Sequence, residues 1–307
     1  MKKRLLNCTA SEMEKMTSGE LLEAVAGSEG RVIAAESIGI TMPLLEDVTN
    51  AEAAAAFGAD ILLLNMFDVI HPVIHGLPQG KEEDVVRQIK KLTGRIIGIN
   101  LEPVEKGYDT VGESMWKMTP GRYATGDNAV RAARMGVNMI LLTGNPGNGV
   151  SNRAITDSLQ TIREAVGDEL ILAAGKMHAS GVIAEAAEHI ITKEDILSFR
   201  QAGADLILMP APGTVPGITM EYIKELVSYA HSLGALTITS IGTSQEGADK
   251  DTIRQIALMC KMTGTDIHHI GDSGYVGMAL PENIMTYSIA IRGVRHTYRR
   301  MAGSVNR

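Results

Sequence analysis

The chain has 307 residues, 45% of them hydrophobic and 21% charged, which is enough apolar material for the core of a large α/β architecture. A net charge of -7 with no long block of Lys and Arg excludes a nucleic-acid footprint, because a phosphate backbone demands a basic patch. Two cysteines, Cys8 and Cys260, cannot build a disulfide framework, and no segment approaches the roughly 18 apolar residues of a membrane helix, so a cytoplasmic protein with no membrane partner is expected.

The opening "MKKRLLNCTASEMEK" looks superficially like a signal sequence, yet its apolar run after the basic cluster lasts two residues against the roughly 7 to 15 of a signal core. "SEMEKMTSGELLEAVAG" then reads as an extra helix within a helical extension over residues 1–30, covering the base of the next unit or a neighbouring subunit. Eight apolar strand candidates follow: "RVIAAES" near 31, "ADILLLNMF" near 59, "RIIGINLE" near 95, "VNMILLTG" near 137, "ELILAAGK" near 169, "ADLILMP" near 204, "ALTITSIG" near 235 and "TDIHHIG" near 265. Between them lie amphipathic helical patterns such as "RAITDSLQTIREAVG" and "KDTIRQIALMCKMTG", most ending in a capping glycine. Repeated strand-helix units imply parallel strands with right-handed crossovers, and eight close most economically as an α/β (β/α)8 TIM barrel, over residues 31–302 of a single domain spanning 1–307. An open doubly wound sheet is the alternative, but its usual Gly-x-Gly-x-x-Gly after the first strand is missing.

Turns entering strands are short and segments leaving them are long. The longest, residues 103 to 124, holds the only tryptophan, Trp116, and reads as a lid or substrate wall. Strand three separates by alternation, with Ile97, Ile99 and Leu101 on a bulky face and Gly98, Asn100 and Glu102 on the other, so Asn100 and Glu102 are expected to point into the barrel. The same alternation in "LILAAGKMHA" places Lys176 and His178 on one face, taken as the pocket side because a charge against the apolar helix layer is costly. Strand one contributes Glu36, strand two Asn65 and Asp68, strand four Thr143 and Asn145. Glu36, Glu102, Lys176 and His178 are the catalytic candidates, and Asn65, Asn100, Asn145 and His269 the substrate-binding ones. His71 and His75 have a four-residue spacing, but Pro72 and Gly76 break the helix that a zinc site would need. Asp68, Glu102 and Asp272, with Glu36, form the candidate set for Mg2+, although no cofactor is required.

"TITSIGTSQEG" at 237 to 247 is echoed by "DIHHIGDSGYVG" at 266 to 277, and both turns fall at the tops of strands seven and eight, where such barrels frequently hold a phosphate. Gly242, Thr243 and Ser244 with Gly271, Ser273 and Gly274 are therefore the expected cradle, glycine letting the main chain approach an anion and hydroxyls donating to it. The "SIGTS" and "HIGDSG" turns and the "QAGADLILMPAP" passage make the chain resemble the phosphate-binding TIM barrels that include sugar-phosphate epimerases and aldolases. "GDNAVRAARMGVNMILLTG" followed by "SFRQAGADLILMPAP" is similar to the phosphoenolpyruvate phosphonomutase and isocitrate lyase group. The chain departs from that group's pattern: its Lys-Cys-Gly-His gating loop is missing, and Asn100-Leu101-Glu102 stands where an Asp-x-Asp metal pair belongs.

The expected function is an enzyme acting on a small phosphorylated carbonyl compound, a sugar phosphate, by proton abstraction or aldol-type cleavage, with Lys176 and Glu102 as acid/base pair and Asn100 and Asn145 orienting. The alternatives are Mg2+-dependent mutase or lyase chemistry and a sugar-phosphate sensor without catalysis. The final helix spreads Ile284, Met285, Tyr287, Ile289 and Ile291 over more surface than one buried stripe requires, which points to a homo-oligomer.

Overall fold

The computed structural model describes residues 3–105, 118–144, 149–179 and 182–307. Eight parallel strands close a barrel in chain order: β1 (Val32–Ile38), β2 (Ile61–Asn65), β3 (Ile96–Leu101), β4 (Met139–Leu142), β5 (Ile171–Gly175), β6 (Leu206–Pro210), β7 (Leu236–Ile241) and β8 (Ile267–Ile270). Each lies on one of the apolar runs read from the sequence. β8 pairs back to β1, with Ile267 opposite Val32, so the sheet keeps no edge and the open doubly wound arrangement is ruled out.

The helices form because capped starts precede apolar stripes at helical spacing. Ahead of the barrel stand α1 (Ala10–Glu14) and α2 (Ser18–Ala26); around it run α3 (Asn50–Ala56), α4 (Val85–Thr93), α5 (Gly126–Met135), α6 (Asn152–Val166), α7 (Lys193–Gln201), α8 (Met220–Ser232), α9 (Lys250–Thr263) and α10 (Pro281–Ala302). Thr125, Ser151, Thr192 and Thr219 each accept a hydrogen bond from a first-turn amide, and left-handed Gly94, Gly136 and Gly264 terminate α4, α5 and α9. The single N-terminal helix expected from the sequence is two. Thr17 and Glu20 make a second capping box after that of Thr9 and Glu12, so the chain restarts its helix instead of continuing it.

Alternation along the strands builds two cores. Val32, Ala34, Ile61, Leu63, Ile96, Met139, Leu141, Ile171, Ala173, Leu206, Leu208, Ile238 and Ile267 face the barrel axis, and the extension packs Leu5, Met13, Leu21 and Val25 against them. The base of the barrel is thus plugged with apolar side chains. The intervening residues pack against the helix layer. In α10, Ile284, Tyr287 and Ile291 belong to that outer core while Met285 and Ile289 are half-buried, and the helix breaks at Gly293 (φ 75°). The helix packs between α3 and α9. Among the described residues no helix is long and apolar enough to cross a membrane.

Candidate active site

Strand parity decides which side chains reach the open, C-terminal end of the barrel. One step beyond the apolar inner layer come Glu36 on β1, Asn65 closing β2, Asn100 and Glu102 at the end of β3, Thr143 after β4, Met177 after β5, Gly242 after β7 and Gly271 with Asp272 after β8. They surround a cavity of 280 Å³, which His178, Arg122 and Glu246 also line. Glu36, Asn100, Glu102 and Asp272 are all buried, so the mouth sequesters polar groups that water would otherwise satisfy.

Those groups are tied to one another. Asn65 donates through Nδ2 to Asp272 Oδ2 at 2.7 Å and accepts through Oδ1 from Asn100 Nδ2 at 3.2 Å, which fixes the orientation of both amides. His269, fully buried, shares a 2.5 Å hydrogen bond between Nδ1 and the Ser240 hydroxyl. Its Nε2 lies 3.1 Å from Glu36 Oε2, close enough for an ion pair though outside hydrogen-bond geometry. Glu102 pairs with the Arg122 guanidinium, and both are buried. The same Glu102 accepts on its carbonyl from the Ala124 amide, while its own amide donates to the Arg122 carbonyl, so the return leg of the long loop is laced along the end of β3.

Asp272 is the most perturbed of the lining groups. Burial, then repulsion by Glu36, push its carboxyl up to about 7, and the Asn65 amide only partly opposes them. Burial also raises Glu246, against the pull of its own amide and that of Ser273, and burial lowers His178. Two buried oxygens facing this region, Asn100 Oδ1 and Glu246 Oε2, have no hydrogen-bond partner among the described residues. A ligand carrying hydroxyl donors would complete them.

The two glycine turns are neighbours, as the repeat implied: Ile241 pairs with Ile270, and Gly242 and Gly271 come next on each strand. Gly271 must be glycine, since a Cβ there would stand 2.8 Å from the Ile241 carbonyl oxygen, whereas one at Gly242 would meet the movable Met177 side chain, 2.8 Å from its Sδ. The expected cradle is nevertheless partly taken. The Ser273 amide donates to Glu246 Oε1 at 2.6 Å, and the Thr243 hydroxyl donates to the Thr214 carbonyl at 3.1 Å. Ser244 and Gly274 do not line the cavity, whereas Thr243 and Ser273 do.

Two further expectations change. Lys176 is buried and has polar company, but it falls in step with Leu172 and Ala174 of the outer layer and is not among the mouth-lining residues; alternation ends at Gly175, after which both Met177 and His178 line the mouth. The metal set Asp68, Glu102 and Asp272 is not assembled: Asp68 accepts from the amides of Ile70 and His71, Glu102 pairs with Arg122, and Asp272 is held by Asn65. No three His, Cys, Asp or Glu side chains among the described residues are grouped to hold a metal ion. Asn145, and Trp116 with most of its loop, lie outside the described residues.

Arg122 and Glu246 were missed by sequence reasoning. Both sit in single 3-10 turns, Pro120–Arg122 and Gln245–Gly247, too short for any periodicity to mark an inward side chain. A buried Glu102 at a strand end called for a cation nearby, and Arg122, twenty residues on in the loop leaving that strand, could have been inferred from that need.

Comparisons with solved structures return the same fold. The carboxyl transferase domain of pyruvate carboxylase from Rhizobium etli, with pyruvate and biocytin, is 13% identical over 95% of this chain and 52% of that one, with a TM-score of 0.55. 2,3-Dimethylmalate lyase, a PEP mutase/isocitrate lyase superfamily member, is 12% identical over 88% of this chain and 82% of that one, with a TM-score of 0.51. A putative lyase/mutase from Burkholderia cenocepacia J2315 is 15% identical over 84% and 82%, with a TM-score of 0.49. At such identities the likeness is one of fold. No curated protein matches the sequence. A family model covers residues 6–307, and the chain accordingly belongs to the family described as a domain of unknown function, DUF7916.

Proposed function

We propose that the chain is an enzyme of isomerase or lyase type that enolises a small hydroxylated carbonyl metabolite, with Asp272 as the acid and Glu36 as the base. The observation that carries this reading is the buried Asp272 carboxyl facing the same cavity as Glu36, with burial and the repulsion of Glu36 raising it to about 7. Two titratable groups driven apart by their surroundings are what acid/base chemistry near neutral pH requires. Glu36 takes the proton from the carbon beside the carbonyl, the C–H electron pair forms the C=C bond, and Asp272 gives its proton to the carbonyl oxygen. Glu36 then returns its proton to the former carbonyl carbon while the hydroxyl on the other carbon of the enediol passes its proton to Asp272 and becomes the new carbonyl, which isomerises the compound and resets both carboxyls. In aldol-type cleavage the same two groups take the hydroxyl proton and protonate the enolate oxygen. His269, held by Ser240, positions Glu36. The unpartnered Asn100 Oδ1 and Glu246 Oε2 favour hydroxyl donors on the substrate.

A phosphoryl group at the β7 and β8 turns is the second reading, favoured by the adjacent Gly242 and Gly271. Glu246, Asp272 and Glu36 oppose a dianion there. The test is proton-deuterium exchange in heavy water, followed by NMR, with hydroxyacetone, dihydroxyacetone, glyceraldehyde and the phosphates of the last two. Exchange at carbon is expected, fastest without phosphate, falling as pH rises through about 7 and reduced by about 100-fold or more in Glu36→Gln and Asp272→Asn. Preference for the phosphates would restore the second reading; no exchange with any member, or full exchange in Asp272→Asn, would overturn the enolisation reading.

A further inference from the structure

A second cavity of 510 Å³ opens beside the mouth, and its character is the reverse of the first. Val182, Ile183, Ala186, Val215 and Pro216 supply most of its wall. His178, Thr243 and Ser273 line both cavities, so the two are contiguous. Ile183, at its lip, is 90% exposed, an unusual situation for a large aliphatic side chain beside a concave site.

The wall is held in place by contacts that serve no catalytic group. The Tyr222 hydroxyl of α8 donates to the Glu188 and Ile191 carbonyls at 2.9 and 2.8 Å, anchoring the segment that carries Ile183 and Ala186. Left-handed Gly217 (φ 82°) lets the loop before α8 press against Ala187, since a Cβ there would stand 2.6 Å from the Ala187 Cβ. Thr243, which lines both cavities, donates to the Thr214 carbonyl next to Val215. The apolar chamber is therefore preformed and registered to the mouth, as ligand pockets with a few polar groups at one end generally are.

We propose that this annex takes an apolar substituent of the substrate, an alkyl or aryl group, while the hydroxylated carbonyl end sits in the mouth. The substrate class is then an amphiphilic hydroxycarbonyl compound rather than a sugar. This specificity rests on the enolisation reading for what fills the mouth, but the annex itself is testable without it. Binding of hydroxyacetone and its homologues, lengthened one methylene at a time and ending with an aryl ketone, is followed by ligand-observed NMR on the full chain. Affinity should rise about fourfold per methylene in the wild type, and the rise should flatten in Ile183→Ser and in Val215→Ser. Ile183 is exposed, so its variant keeps the fold even where the other does not. A flat series in the wild type, or a steep one that both variants leave untouched, overturns the annex. A steep series without carbon exchange leaves the annex standing and removes the enolisation reading alone.

Discussion

Asp60 and Asp272 are both buried aspartates, at opposite ends of the same barrel, and their surroundings give them opposite properties. Asp60, preceding β2 at the plugged end, is fully buried between Arg292 and Arg300 and accepts from the Ile33 amide at 2.8 Å. Burial pushes its carboxyl up, but the two guanidiniums more than offset this and hold it below the usual carboxylate range. Asp272, at the open end, meets Glu36 where Asp60 meets cations, and its carboxyl sits at about 7. Burial alone therefore does not make a carboxyl reactive; the sign of the neighbouring charge does. One end of the barrel uses its acid to fasten α10 to the strands, and the other keeps an acid half-neutral within reach of a ligand.

The harshest way to break that contrast is to neutralise the fastening acid. Asp60→Asn leaves Arg292 and Arg300 buried without their anion, and removing one partner of a buried ion pair typically costs about 3–5 kcal/mol. Urea unfolding at pH 7 should show a loss of that order, and a loss under about 1 kcal/mol would mean the ion network is incidental. Neutralising the open-end acid should act with the opposite sign. The unfolded chain releases this proton near pH 4, whereas the native chain holds it to about pH 7, so the native state loses stability as pH rises through that interval. Over the whole interval the loss is on the order of 4 kcal/mol. Asp272→Asn lacks this slope, and its stability relative to wild type should improve by about that amount between pH 4 and pH 8. Unfolding curves across that range check it, and a pH-independent difference would show that Asp272 is not the perturbed group.

The barrel was legible because its strands obey a period of two that burial enforces on every β-residue: Gly98, Asn100 and Glu102 could be assigned to the interior from Ile97, Ile99 and Leu101 alone. Position at the strand tops pointed to Glu36 and Asn65, and the echoed turns to the neighbouring Gly242 and Gly271. The charge argument failed at Lys176, which keeps step with Leu172 and Ala174 of the outer layer although it is charged, and alternation itself is lost just beyond, where Met177 and His178 both line the mouth. Asp68 misled for a related reason: outside a strand, its carboxylate had the Ile70 and His71 amides to satisfy locally. The apolar annex was invisible because its walls come from two loops far apart in the chain, near 183 and near 215, each unremarkable by itself.

The most direct measurement is the titration of Asp272 itself, by carbon-13 NMR of aspartate carboxyls with Asp272→Asn used to assign the signal. A midpoint close to pH 7, shifting down when Glu36→Gln removes the opposing charge, is what this account predicts. A midpoint near the ordinary aspartate value of about 4, indifferent to Glu36, would contradict it.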